Sequence, residues 1–537
     1  MNTRAFGATR ATYMPPRLDG QVRQALEVGR IRMIVAAAAM VLAFTIVGLR
    51  LTELALFREA PPSRAIAHAT TDTGPRPRGD IVDRNGEILA TDLATASLYA
   101  NPRRLLDPEE AARGLVTVLP DLDYRITLAK LRTDRTFVWL RRNLTPREQW
   151  EVNRLGLPGL DFIAEYDRVY PHGPLLAHVL GYVDSDNKGI AGVEARFDES
   201  LATDDEALKL TIDLRVQYIL REELRAAMLE FRAKGAAGVV MDVTTGEVIA
   251  LTSLPDFDPN HAGKARDSAR FNRATLGVYE LGSTFKVFTV AIALDSGTAS
   301  FGARYDATRP LRVSRFTIRD YHAKNRWLTL PEVFMYSSNI GAARMAGDIG
   351  GKTQRDYLSR LGLLDPSAIE LPEVGRPIVP SPWRPVNTMT IGFGHGLAVS
   401  PLQLAAGVAA IVNGGTMNDT TIVLRDNVAR EGRQVISSET SRRLRQLMRL
   451  TVKQGTGRKA EAARYPVGGK TGTAEKPGAK GYAKRSLISS FVGVFPITQP
   501  RYVVLAVLDE PKGTKKTYGF ATGGWVAAPV IRRVVER

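Results

Sequence analysis

Between Arg32 and Arg50 the chain runs for 17 residues, Met33 to Leu49, without a charge and with almost nothing polar. A helix rising about 1.5 Å per residue over such a run just crosses a thin hydrocarbon core, and the two arginines can reach its surfaces with their charged heads. The run divides the chain into a short basic leader and a long remainder that folds on its own terms. Six arginines precede it, and the next 17 residues hold Arg50, Arg58 and Arg64. This modest excess on the leading side predicts residues 1–32 on the cytoplasmic face. A cleaved signal peptide is the rival reading, with Ala65 to Ala69 as processing site. Leu49, Leu51, Leu54 and Leu56 instead continue the helix, so a retained anchor over residues 33–57 is expected.

The remainder is too long for one domain. With 537 residues, 44% of them hydrophobic and 24% charged, the chain can build several cores, and global disorder is excluded. Lys plus Arg number 73 against 56 Asp plus Glu, a net charge of +17. That balance suits nucleic acid, an anionic membrane surface or an anionic polymer. The cations are spread along the chain rather than gathered into a stripe interleaved with aromatics, so no nucleic-acid partner is expected. The absence of cysteine excludes a disulfide framework and any thiolate metal site.

Pro61, Pro62, Pro75 and Pro77 among small polar residues mark a linker over 58–77. Asn85-Gly86 between apolar residues then predicts a type I′ hairpin, opening a module over 78–207 in which helical patterns and polar turns alternate. No nucleophile or ligand set is visible there, so it reads as a pedestal. A larger domain, 208–537, opens with alternating Leu208 to Asp213 and a helix through Gln217, Leu220 and Leu224. The runs 236–242 and 247–252, joined at Thr244-Thr245-Gly246, form a second hairpin. Helices over 284–296, 331–348 and 400–413 precede strands over 487–495 and 501–509, which is an α+β layout.

Three segments carry chemistry. Ser283 and Lys286 stand three residues apart at the head of an apolar helical run, so one face presents a hydroxyl beside an amine. A desolvated lysine can take the proton that keeps serine a poor nucleophile. A serine and a lysine at this spacing arise by chance, and the bland reading is a helix cap with an exposed lysine. Indeed Ser185-Asp186-Asn187-Lys188 repeats the spacing in a polar loop, with no apolar helix behind it. Ser337-Ser338-Asn339 falls between two helical segments and presents a second hydroxyl and an amide. Lys470, Thr471, Gly472 and Thr473 stand among small residues in an apparent edge strand: the ammonium suits a substrate carboxylate, the threonine hydroxyls add hydrogen bonds, and Gly472 admits a substrate backbone. Gly469-Lys470-Thr471 is not a phosphate loop, because Arg464 occupies the required glycine position. The six histidines are scattered without ligand spacing, so neither metal nor cofactor is expected.

In this order within one domain, the three segments resemble the motifs of the penicillin-binding protein and serine β-lactamase superfamily. Arg78-Gly79 through Asp83-Arg84-Asn85-Gly86, Tyr170-Pro171, Gly192-Val193-Glu194 and Pro401-Leu402-Gln403-Leu404 look like the class B, monofunctional transpeptidases. Tyr279 to Ser283 and Ile391 to Gly396 look like its septal branch. Leu281 departs from the proline many relatives carry before the glycine. The resemblance implies an antiparallel sheet covered by helices, on an elongated pedestal behind one transmembrane helix. It implies that Ser283 attacks the penultimate D-Ala carbonyl of a peptidoglycan stem peptide with Lys286 as base. Ser337 and Asn339 would relay protons, Lys470 and Thr471 would hold the terminal carboxylate, and the N–H groups of Ser283 and Thr473 would form the oxyanion hole. Implied partners are stem peptides on lipid-linked nascent glycan, β-lactam inhibitors, a polytopic glycosyltransferase of the shape, elongation, division and sporulation (SEDS) family, and other division proteins of the bacterial inner membrane, at the septum. The rival readings are an elongation-type transpeptidase, a D,D-carboxypeptidase, and an inert scaffold that binds wall polymer.

Overall fold

The computed structural model describes residues 33–35, 37–48, 76–204, 206–313, 316–425, 432–478 and 481–537, the side chains of 477–478 and 481–485 excepted. The chain divides into two units, Met1–Gly74 and Pro75–Arg537. In the first, residues 33–35 and 37–48 are helical and exposed. No helix among the described residues is long and apolar enough to cross a membrane. The leader 1–32, the expected continuation through Phe57 and nearly all of the 58–77 linker lie outside the described residues.

The second unit begins with β1 (Ile81–Val82) and the long β2 (Ile88–Ala100). The turn between them is not the expected type I′, which needs positive φ at both central residues. Gly86 has it, at 89°, and Asn85 does not. The cause is Asp83, whose carboxylate accepts the Asn85 N–H at 2.7 Å and the Glu87 N–H at 3.0 Å, building the turn around a side chain. Helices α1 (Pro108–Val118), α2 (Tyr124–Leu131) and α3 (Pro146–Asn153) cover one face of β2, β3 (Val138–Leu144) and β4 (Leu160–Val169). Leu98, Leu115, Leu131 and Val152 fill the core between them. Asp107 caps α1, a Thr145/Glu148 capping box opens α3, and a proline follows each cap. β1 also pairs in parallel with β5 (Leu208–Lys209), closing the module on the start of the larger domain.

Below this sheet lies a buried ion network. Glu194 accepts from Arg78 Nη2 at 3.0 Å and Arg168 Nε at 2.7 Å, while Arg168 Nη1 stands 3.2 Å from Asp92 and Arg78 Nη1 2.7 Å from Asp198. Arg168 and Glu194 have fully buried side chains. The network ties β2 and β4 to the segment after Gly192.

Asp213 caps α4 (Leu214–Glu230), after which β6 (Gly235–Asp242) and β7 (Val248–Leu254) form the second expected hairpin. Then come a 3₁₀ turn at Gly282–Phe285, α5 (Lys286–Asp295), α6 (Leu330–Tyr336), α7 (Asn339–Ile349), α8 (Pro401–Val412) and α9 (Ser438–Gln454). The chain ends on β8 (Gly468–Gly478), β9 (Gly481–Phe495), β10 (Tyr502–Asp509) and α10 (Ala528–Glu536). The sheet order is β8-β9-β10-β6-β7, antiparallel throughout, with Lys470 opposite Val492, Val504 opposite Val240, and Val239 opposite Leu251. Alternate residues of its strands enter two cores: Val239, Leu251, Val492 and Leu505 meet α5 and α8, whereas Val240, Val504 and Ala506 meet Leu220, Leu224 and Ile531 of α4 and α10. Helices on both faces explain why β6 and β10 read as near-continuous apolar runs. α5 is buried from Lys286 to Leu294, so the helix that follows the serine is a core element.

Candidate active site

Ser283 does not sit in the α-helix itself but in the 3₁₀ turn that leads into it. In that geometry residues three apart eclipse, which brings Lys286 Nζ to 2.7 Å from Ser283 Oγ. The turn is fixed by close backbone packing. Gly282, at φ 57°, would push a Cβ to 2.5 Å from the Thr473 carbonyl, and its N–H donates to the Gly394 carbonyl at 3.3 Å. Serine is thereby clamped between β8 and the 392–396 turn.

The second segment closes over Lys286 from above. α6 ends at Tyr336, Ser337 takes a left-handed conformation at φ 62°, and Ser338 caps α7 by accepting the Gly341 N–H. Lys286 Nζ donates to Asn339 Oδ1 at 2.6 Å and to the Ser337 carbonyl at 3.1 Å, and stands 3.3 Å from Ser337 Oγ. From β8, Lys470 Nζ donates to the same Ser337 Oγ at 2.8 Å and to the Thr471 carbonyl at 3.1 Å. Five side chains from three segments, Ser283, Lys286, Ser337, Asn339 and Lys470, therefore form one hydrogen-bonded cluster.

Both lysines are fully buried, and no carboxylate hydrogen-bonds to either among the described residues. Burial pushes the Lys286 amine down to about 7, against a weaker upward pull from Asp320. Burial and then the Lys286 charge push Lys470 well below the ordinary lysine range. Like charges joined through one hydroxyl disfavour each other, so an incoming anion is what this cleft lacks.

The remaining β8 residues are held by the protein. Thr471 Oγ1 lies 2.8 Å from Thr456 Oγ1, and Thr473 Oγ1 accepts the Gly523 N–H at 3.1 Å. Gly472 is expected to admit a substrate backbone, but its Cβ direction is filled by the Leu281 carbonyl and Ser490 Oγ. Its smallness serves the packing of β8 on the serine turn. Ser185 and Lys188 lie outside the cleft, in a pedestal turn where Arg78 Nη1 donates to the Asn187 carbonyl at 3.0 Å.

Three participants have no sequence signal of their own. Thr456 and Gly523 come from stretches without pattern. Asp320 comes from an irregular loop and accepts from Ser338 Oγ at 2.7 Å, Asn339 N at 2.6 Å and Ile340 N at 2.9 Å. Glu280 adds a brace, accepting the Gly396 N–H at 2.8 Å with His395 Nδ1 at 3.4 Å. His178 is buried and pushed down to about 4, its Nε2 2.8 Å from the Ala269 carbonyl, which makes it a core histidine.

Residues 236–536 match the family described as penicillin binding protein transpeptidase domain, and residues 73–224 match the penicillin-binding protein dimerisation domain. The probable peptidoglycan D,D-transpeptidase FtsI of Caulobacter vibrioides is 46% identical over 475 residues, 86% of this chain and 80% of that protein. The peptidoglycan D,D-transpeptidase FtsI of Escherichia coli K12 is 30% identical over 495 residues, 85% of this chain and 82% of that one. A peptidoglycan synthetase of Bifidobacterium adolescentis has the same fold, with a TM-score of 0.67 at 24% identity over 86% of this chain and 94% of its own.

Proposed function

The chain belongs to the class B penicillin-binding proteins, and on that premise we propose that it cross-links peptidoglycan at the division septum through an acyl-enzyme on Ser283. The observation that carries this reading is the position of the Lys286 amine, within hydrogen-bond reach of Ser283 and Asn339 in a buried site. Neutral Lys286 takes the proton of Ser283 Oγ as the oxygen attacks the penultimate D-Ala carbonyl of a stem peptide. The N–H groups of Ser283 and Thr473 receive the oxyanion, each such donor contributing about 3 kcal/mol. The proton returns through Ser337 Oγ, which both lysines touch, to the nitrogen of the departing D-Ala. The departing carboxylate rests on Lys470 and Thr471, and its charge keeps Lys470 protonated despite burial. An amine from a neighbouring strand then attacks the acyl-enzyme by the reverse path. A β-lactam offers the same acyl group in a ring and leaves it on Ser283.

Residues 33–57 anchor the chain in the inner membrane, 58–77 link, 78–207 form the pedestal and 208–537 the catalytic domain in the periplasm. The septal role is supported by 46% identity to a protein named FtsI. A SEDS-family glycosyltransferase and other division proteins are the partners of the anchor and pedestal, and lipid-linked nascent glycan supplies the stem peptides. The test uses a stem peptide with and without an amine acceptor, in the wild type and in Ser283→Ala. Cross-linked product from the wild type alone is expected. A free-acid product that dominates with acceptor present contradicts transfer, and penicillin labelling that survives Ser283→Ala contradicts the nucleophile.

A further inference from the structure

Ser337 is a serine held at φ 62°, a left-handed backbone conformation that L side chains rarely adopt. Such a residue persists only where its surroundings over-determine it. The neighbours in the chain supply part of the restraint: Ser337 N and Ser338 N donate to the carbonyls of Phe334 and Val333. The rest comes from Asp320, just beyond the short hairpin of Leu311–Val313 and Phe316–Ile318. One of its oxygens accepts the N–H groups of Asn339 and Ile340, and the other accepts the Ser338 hydroxyl. The adjacent Arg319 carbonyl accepts from Asn339 Nδ2 at 3.1 Å, which turns Asn339 Oδ1 toward Lys286. A carboxylate is suited to this place, because it faces the N-terminus of α7, an eleven-residue helix.

We propose that Asp320 is a positioning residue for the acylation reaction, fastening the turn that carries Ser337 and Asn339 so that both meet Lys286. Its part is electrostatic as well as geometric. Of the charged groups around Lys286, Lys470 and His395 share its sign when protonated, and Asp320 is the anion whose field opposes the desolvation of the ammonium. Asp320 touches no reacting atom, and it acts through the turn and through the charge balance of the base.

The inference rests on the acyl-serine reading above, and the test separates the two. Acylation of the full chain by a fluorescent penicillin is measured from pH 5 to 9 for the wild type, Asp320→Ala, Asp320→Asn and Ser283→Ala, each with a thermal melt. Loss of labelling in Ser283→Ala checks the reading itself. Asp320→Ala is expected to acylate on the order of 100-fold more slowly, the scale of a catalytic group displaced by about 1 Å. Asp320→Asn keeps an acceptor without the charge. Its rate falls less, by about tenfold, a single hydrogen bond to a charged group. With the anion gone, Lys286 loses its proton more readily, so the acid limb of the Asp320→Asn profile moves to lower pH. A merely structural aspartate would lower the melting temperature and leave that limb in place. Wild-type rates in Asp320→Ala overturn the proposal. If Asp320→Ala fails to fold, an unmoved acid limb in Asp320→Asn overturns it.

Discussion

Two regions of this molecule bury full charges, and they do so in opposite ways. In the pedestal, Arg78, Arg168, Glu194, Asp92 and Asp198 alternate in sign, each guanidinium meeting carboxylates at 2.7–3.2 Å. In the cleft, Lys286 and Lys470 share one hydroxyl and meet only neutral acceptors. A matched network holds elements in register, and removing one member strands its partner in a medium of low dielectric. Two buried amines without an ion-pair partner disfavour their own charged forms, and burial brings Lys286 down to about 7. On the proposed reading, the difference separates a residue that carries the fold from one that carries the reaction, though both are buried.

The largest expected effect falls on the mismatched side. Lys286→Met should slow acylation by roughly 1000-fold, the loss of a general base. It should also make the protein more stable than the wild type at pH 7. The sign follows from linkage: the amine titrates near 10.5 unfolded and about 7 folded, so between these values the unfolded state binds more protons and wild-type stability rises with pH. The advantage of Lys286→Met should therefore grow as pH falls from about 10 to about 7 and level off below. Paired denaturant melts check this, and an advantage independent of pH would break the comparison.

On the matched side the expectation reverses. Glu194→Gln leaves two buried guanidinium groups short of charge, and should lower the unfolding free energy by about 3–5 kcal/mol. The acylation rate of the protein that remains folded should hold. A large rate loss without a loss of stability would show that the pedestal network reaches into the chemistry. The smallest effect belongs to Thr456→Val, which removes one of two partners of the Thr471 hydroxyl, the other being Lys470 Nζ at 3.5 Å. It should weaken binding of the stem peptide by about fivefold, the worth of one hydrogen bond, and leave the maximal rate alone.

How much of this was readable in the residues follows from the range of the interactions. The contact of Ser283 with Lys286 lies within one helical turn, so the spacing together with the apolar helix behind it points to the pair, while the same spacing at Ser185 and Lys188 leads nowhere. β6, β7, β9 and β10 were visible because their apolar runs are long, and the edge position of β8 because small residues flank Lys470. The contact of Lys470 with the Ser337 hydroxyl spans 133 positions, and only the order of the three segments points to it. Asp320 could not be found, since its three bonds cross 18 to 20 positions from a loop without periodicity. The turn at Asn85-Gly86 departs from type I′ for a related reason, because a side chain, Asp83, and not the Asn-Gly pair shapes it. Gly192-Val193-Glu194 entered only through likeness to a family, and its physical sense is the charge that Glu194 gives to two distant arginines.

On the proposed reading, Lys286 serves as base because burial outweighs the pull of Asp320 and leaves its amine neutral near pH 7. The acylation rate with a slowly reacting β-lactam, followed by stopped flow across pH 5 to 10, tests this directly. The rate should climb about tenfold per pH unit on the acid side, bend near pH 7, where Lys286 is held, and run flat above. A rate that keeps climbing toward the ordinary lysine range near 10.5 would contradict the account.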